Sequence, residues 1–103
     1  MKLPILFFAT SAALLAAAPA RADEALAKKH NCLICHAVDK KLVGPSFKDI
    51  AMKYKGQKAA AAKLEAKVKS GGSGVWGPVP MPPNATVPDG DIQKLVAWIL
   101  KRG

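Results

Sequence analysis

Cys32, Cys35 and His36 stand together in the stretch NCLICH at residues 31–36, and the chain holds no other cysteine. Three chemistries use such a cluster. A C-x-x-C pair serves thiol–disulfide exchange, but that chemistry sits in a βαβ setting, and the chain shows no strand-like alternation. His30, Cys32, Cys35 and His36 together offer four zinc donors, yet four ligands on one short segment cannot easily surround a tetrahedral ion. The third chemistry is covalent haem attachment through C-x-x-C-H. On a helical turn, residues three and four apart share a face. Cys32 and Cys35 then present two thiols to one macrocycle, and His36 turns its imidazole toward the iron.

Haem iron has a second axial position, whose occupant separates electron transfer from gas binding. The candidates are Met52, Met81 and His30. Met52 points nearly opposite the apolar stripe of its own helix and reads as a surface residue. His30 lies one turn before His36, on the same side of the haem, and reads as a helix-surface histidine. Met81 sits in GPVPMPPN, where Pro78, Pro80, Pro82 and Pro83 fix φ along the backbone. This predicts a stiff, extended arm that holds one thioether. The competing reading of Met81 is a hydrophobic plug on the core.

These residues need a frame. Asp23 can cap a first helix that runs to about Asn31. Ser46 can cap a second, with Phe47, Ile50, Ala51 and Tyr54 at i, i+3, i+4 and i+7 and a stop at Gly56. A third covers roughly 58–70, with Ala60, Leu64 and Val68 on one face and Gly71 as its stop. The last starts near Asp89–Asp91, with acids at its positive end, and carries the stripe Ile92, Leu95, Val96 and Ile99. Residues 71–88 hold four glycines and five prolines and read as one long functional loop. The fold class is all-α, with four short helices.

The N-terminus carries Lys2, an apolar run from Ile5 to Ala18, and the small-residue pattern Ala20-Arg21-Ala22. This reads as a secretory signal peptide over 1–22, cut after Ala22. The run is shorter than the roughly 20 apolar residues of a spanning helix. Residues 23–103 then form one domain of 81 residues with 14 basic and 7 acidic side chains, a formal charge of +7. A core this small needs a staple. One disulfide across two residues closes almost no loop, so a covalent cofactor is the natural one. The positive surface suits acidic protein partners. Export, a single mature arginine and the lack of a binding motif exclude nucleic acid. No residue pair reads as nucleophile and base, so the chain is not an enzyme.

CLICH, LVGPSFKDIA, SGVWGPVPMPPN and LVAWIL occur in this order over nearly all of residues 23–103. In these motifs the chain resembles the class I cytochromes c, specifically the small bacterial cytochrome c-551/c-552 (cytochrome c8) group. The resemblance implies a cytochrome c fold around one covalently attached haem c and a periplasmic one-electron carrier. Cys32 and Cys35 match the thioether cysteines, and His36 and Met81 match the axial ligands. Pro45 matches the proline whose carbonyl accepts the proton of the ligand histidine. Trp76 matches the tryptophan that hydrogen-bonds a haem propionate, against a plain core aromatic. Asn84 matches the residue that hydrogen-bonds the ligand sulfur, against an ordinary turn residue. Lys67 falls where relatives carry a base near a propionate, and Leu95 and Trp98 match the terminal helix that crosses the first.

Three positions depart from the group. Asn31 replaces the usual glycine before the first cysteine, and asparagine tolerates the left-handed backbone that glycine would supply. Ala27 stands where an aromatic is common, and ATVPDGD differs from the usual lead into the last helix. The resemblance also implies partners: a nitrite reductase or terminal oxidase as acceptor and a membrane cytochrome complex as donor. These would meet a soluble monomer at a haem edge framed by Leu33, Val43, Val79, Pro80 and Pro82 and ringed by Lys28, Lys29, Lys40 and Lys41. A haem sensor with a labile sixth ligand is the alternative.

Overall fold

The computed structural model describes residues 1–7, 9–10 and 19–103, with the backbone alone at 19–22. Residue 8 and residues 11–18 of the expected signal peptide therefore lie outside the described residues. Five helices follow in order: α1 (Pro19–Lys29), α2 (Cys32–Cys35), α3 (Phe47–Lys53), α4 (Ala60–Ser70) and α5 (Asp89–Leu100). The described residues contain no strand, only the isolated bridges His36–Lys41 and Gly72–Met81. The architecture is all-α, as expected, but has one helix more than the sequence pattern gives. The addition is the single turn that carries the two cysteines. The other difference is the start of α1. With residues 1–22 still attached, the described helix continues upstream of Asp23 through Ala20-Arg21-Ala22 to Pro19.

The core forms around α5, which packs on α1, α3 and α4. Its expected stripe of Ile92, Leu95, Val96 and Ile99 is buried, and so is Trp98. Leu95, Trp98 and Ile99 meet Ala27, Phe47, Ile50, Tyr54 and Ala60, while Val87, Ile92 and Val96 form a second cluster against Leu64 and Val68. Ala27 is fully buried, so a small residue gives α1 and α5 a close contact in place of an aromatic one. Complete burial of each large side chain is worth about 1.5–3 kcal/mol, as an upper estimate.

The segment after the cysteines is held by the start of α3. The first N–H groups of a helix have no partner within it. Here Phe47 N–H donates to Ala37 O and Lys48 N–H to Val38 O, both at 2.9 Å. Asp49 N–H donates to Ser46 Oγ at 3.0 Å, the cap expected of Ser46. The loop that follows His36 is thus part of the capping of α3.

The loop over 71–88 does not run straight. Gly72 N–H donates to Met81 O at 3.0 Å and Met81 N–H returns to Gly72 O at 2.8 Å. Gly74 N–H to Gly77 O closes a turn at 2.8 Å. Gly74 and Gly77 have φ of 102° and 113°, a region that glycine alone enters at little cost. The glycines reverse the chain before the prolines begin. The expected extended arm is therefore a folded one, pinned at its base to the end of α4.

Candidate haem site

Asn31 adopts φ 63° and ψ 18°, the left-handed conformation that lets the chain leave α1 and re-enter a helix at Cys32. Both cysteines are free and half-buried. Burial pushes the Cys32 thiol above its ordinary value, partly opposed by a backbone hydrogen bond. His36 N–H donates to Cys32 O at 3.0 Å, and Gly44 N–H donates to Cys35 O at 2.8 Å. The histidine therefore follows the cysteine turn in a fixed position, and the 37–46 loop closes over it.

Three contacts restrain the imidazole. His36 Nδ1 donates to Pro45 O at 2.7 Å, and that bond leaves Nε2 as the unprotonated nitrogen. Phe47 stacks on the ring with centroids 5.2 Å apart and planes 22° from parallel. Gly44 backs the ring so closely that a Cβ there would lie 2.6 Å from His36 Cε1. Trp98 then meets Phe47 edge-on at 5.4 Å. Phe47 reads in the sequence only as a core position. Its second task depends on a partner 11 residues earlier, and the helical stripe carries no sign of it.

Met81 is half-buried and its backbone is fixed by the Gly72 bridge. The approach there is also close, since a Cβ on Gly71 would fall 2.4 Å from Met81 O. Asn84 bonds backbone carbonyls on two sides. Its Nδ2 donates to Val68 O at 3.1 Å and to Pro82 O at 3.3 Å, and its N–H also reaches Val68 O. The carbonyls at the end of α4 lack helical partners, and this amide serves that of Val68. Asn84 thereby ties the arm to α4. Lys67 crosses the same region: its Nζ lies where a Gly72 Cβ would be, 2.8 Å away.

Trp76 is 44% exposed, so it is not a core aromatic. Lys53 Nζ sits over its ring, 5.5 Å from the centroid. Among the other candidate ligands, Met52 is exposed, as its helical position predicts. His30 is not the free surface histidine expected. Its Nε2 lies 3.0 Å from Asp91 Oδ2, and its side chain is only 14% exposed. The contact joins the end of α1 to the start of α5 across 61 residues, a pairing that no local pattern announces. No group of three or more His, Cys, Asp or Glu able to hold a metal ion occurs among the described residues, so the four-donor zinc reading fails.

The residues fit haem c. Two free thiols, one imidazole with its Nδ1 committed and one thioether form the donor set. Ile34, Leu42, Val43, Val75, Trp76 and Val79 are 42–70% exposed on the segments around these donors. An uncovered apolar surface of this kind calls for an apolar partner, and a macrocycle bonded to Cys32 and Cys35 supplies one. Leu33, expected at the rim, packs partly into the core instead.

Comparison with known proteins shows the family. The family described as Cytochrome c matches residues 21–102. Cytochrome c-552 of Nitrosomonas europaea is 56% identical over 93 residues, covering 90% of this chain and 89% of that protein. Cytochrome c-551 of Pseudomonas aeruginosa is 48% identical over 94 residues, covering 91% and 89%. The crystal structure of wild-type Nitrosomonas europaea cytochrome c552 superposes with a TM-score of 0.76 at 52% identity, over 78% of this chain and 99% of that one. The chain belongs to the cytochrome c family, in its small bacterial c-551/c-552 group. It carries covalently attached haem c and transfers electrons rather than catalysing a reaction.

Proposed function

We propose that the chain is a periplasmic one-electron carrier whose haem c is bonded to Cys32 and Cys35, with His36 and Met81 as axial ligands. The observation that carries this reading is the 2.7 Å bond from His36 Nδ1 to Pro45 O, which leaves Nε2 free on the residue that follows the cysteine turn. When bound, haem c supplies a one-electron couple at its iron. The chain's task is to keep the ligands still while the charge changes. Pro45, Phe47 and Gly44 hold the imidazole, and the Gly72 bridge and Asn84 hold the arm that bears Met81. A thioether is a soft, neutral donor that favours the reduced state. Trp76 and Lys67 are the residues we assign to the propionates.

Residues 1–22 act as a signal peptide in this reading. Met1, Leu3, Ile5, Leu6 and Phe7 are exposed apolar residues, and the family match begins only at residue 21. No described helix is long and apolar enough to cross a membrane. The exposed Lys28, Lys29, Lys40 and Lys41 suit partners with acidic docking surfaces, such as a reductase, an oxidase or a membrane donor complex. Absorption spectra of the exported protein test the proposal. A low-spin c-type spectrum with a weak far-red band, indifferent to carbon monoxide, is expected, and Met81→Ala should become high-spin and bind the gas. A wild-type protein that binds carbon monoxide would instead make the chain a sensor.

A further inference from the structure

We infer that Lys53 is a positioning residue for Trp76 and a fixed cation at the propionate edge of the site; this rests on the haem reading above. Trp76 hangs on a turn made of glycine, closed by Gly74 N–H to Gly77 O at 2.8 Å, and it is 44% exposed. Among the described residues Lys53 meets the indole on its face: its ammonium lies over the ring at 5.5 Å, the geometry of a cation–π contact. Lys53 is the last residue of α3, a helix anchored by the buried Phe47, Ile50 and Ala51. The same short helix stacks Phe47 on His36 at its first residue. It thus links the imidazole to the indole across about 9 Å of helix.

A lysine here has two effects. It restricts the indole to one orientation, which keeps the Nε1–H aimed at a single acceptor. It also places a positive charge beside whatever anion that N–H meets. For a propionate, an adjacent cation favours the ionised form and moves its titration to lower pH. Lys67, over Gly72 on the other side of the loop, adds a second cation from α4. Two helices thereby present lysines to one glycine-rich segment, and only Lys67 stands at a position matched to the family pattern.

The experiment uses the holo-cytochrome with Lys53→Gln and Lys53→Arg. Two quantities are read: hydrogen exchange of the Trp76 indole N–H by NMR, with buried Trp98 as internal reference, and the pH at which the reduction potential inflects. An exposed cation–π contact corresponds to about a two- to fivefold change in an equilibrium. Lys53→Gln should therefore exchange its Trp76 proton about two- to fivefold faster and shift the inflection to higher pH. Lys53→Arg should restore both. Unchanged exchange or an unmoved inflection in Lys53→Gln overturns the inference. Failure of the haem reading is distinguishable, because it would show in the wild-type spectrum before any Lys53 variant is made.

Discussion

Gly44→Ala tests how tightly His36 is held. The added Cβ would lie 2.6 Å from Cε1, 3.0 Å from Nδ1 and 3.2 Å from Nε2 of the imidazole. All three are too close, so the ring or the loop must move. The ring cannot slide away, because Phe47 stacks on it at 5.2 Å and Pro45 O holds Nδ1. The loop is tied by Gly44 N–H to Cys35 O and Leu42 N–H to Gly44 O. Overpacking of this kind costs about 1–3 kcal/mol. Gly44 is not among the glycines with positive φ, so alanine also restricts the unfolded chain and recovers about 0.4–1 kcal/mol. The net loss is then about 0–2.6 kcal/mol. Guanidinium unfolding of the holo-protein, followed by circular dichroism and by the Soret band, measures it. Gly90→Ala in α5 is the control: nothing lies within 4 Å of its Cβ, and it should gain about 0.5–1 kcal/mol. If Gly44→Ala rose with the control, the close approach to His36 would not be a constraint.

Three further perturbations probe other parts of the frame. Asn84→Ala removes the amide that serves Val68 O and Pro82 O; it should cost about 1–2 kcal/mol and speed cyanide binding to the oxidised protein, whereas an unaltered cyanide rate would mean that the arm stays fixed without Asn84. His30→Ala breaks the tie to Asp91 and should lower stability by about 1–3 kcal/mol in urea; Asp91→Asn still accepts from Nε2 and should lose less, and equal losses in the two variants would refute the hydrogen-bond account. Glutamate at Lys28, Lys29, Lys40 and Lys41 should slow electron exchange with an acidic partner at low salt, with the difference fading at high salt as charges are screened; rates indifferent to both charge and salt would remove these lysines from the docking surface.

How much of this was legible follows from the range over which each contact acts. Ser46 capping Asp49, the α5 stripe and the left-handed Asn31 all depend on residues within a few positions, and the sequence pattern contains them. His36, Cys32 and Cys35 are equally local, since one helical turn brings them together. The family resemblance named Pro45, which the structure joins to His36 across nine residues. What no pattern held are contacts between elements: Phe47 on His36, His30 on Asp91 and Lys53 on Trp76. Each uses an ordinary core or surface residue whose partner is fixed only once the helices pack.

The 71–88 loop shows why composition alone misleads. Its prolines argue for an extended arm, because each fixes its own φ. They say nothing of the glycines before them, where the chain turns back. The fold is set at Gly72, Gly74 and Gly77, and by Asn84, whose amide bonds Val68 O at the end of α4. Met81 is held through its backbone, by the paired bonds to Gly72. In the proposed function this backbone anchoring leaves the sulfur for the iron, as the Nδ1 bond to Pro45 leaves Nε2 of His36.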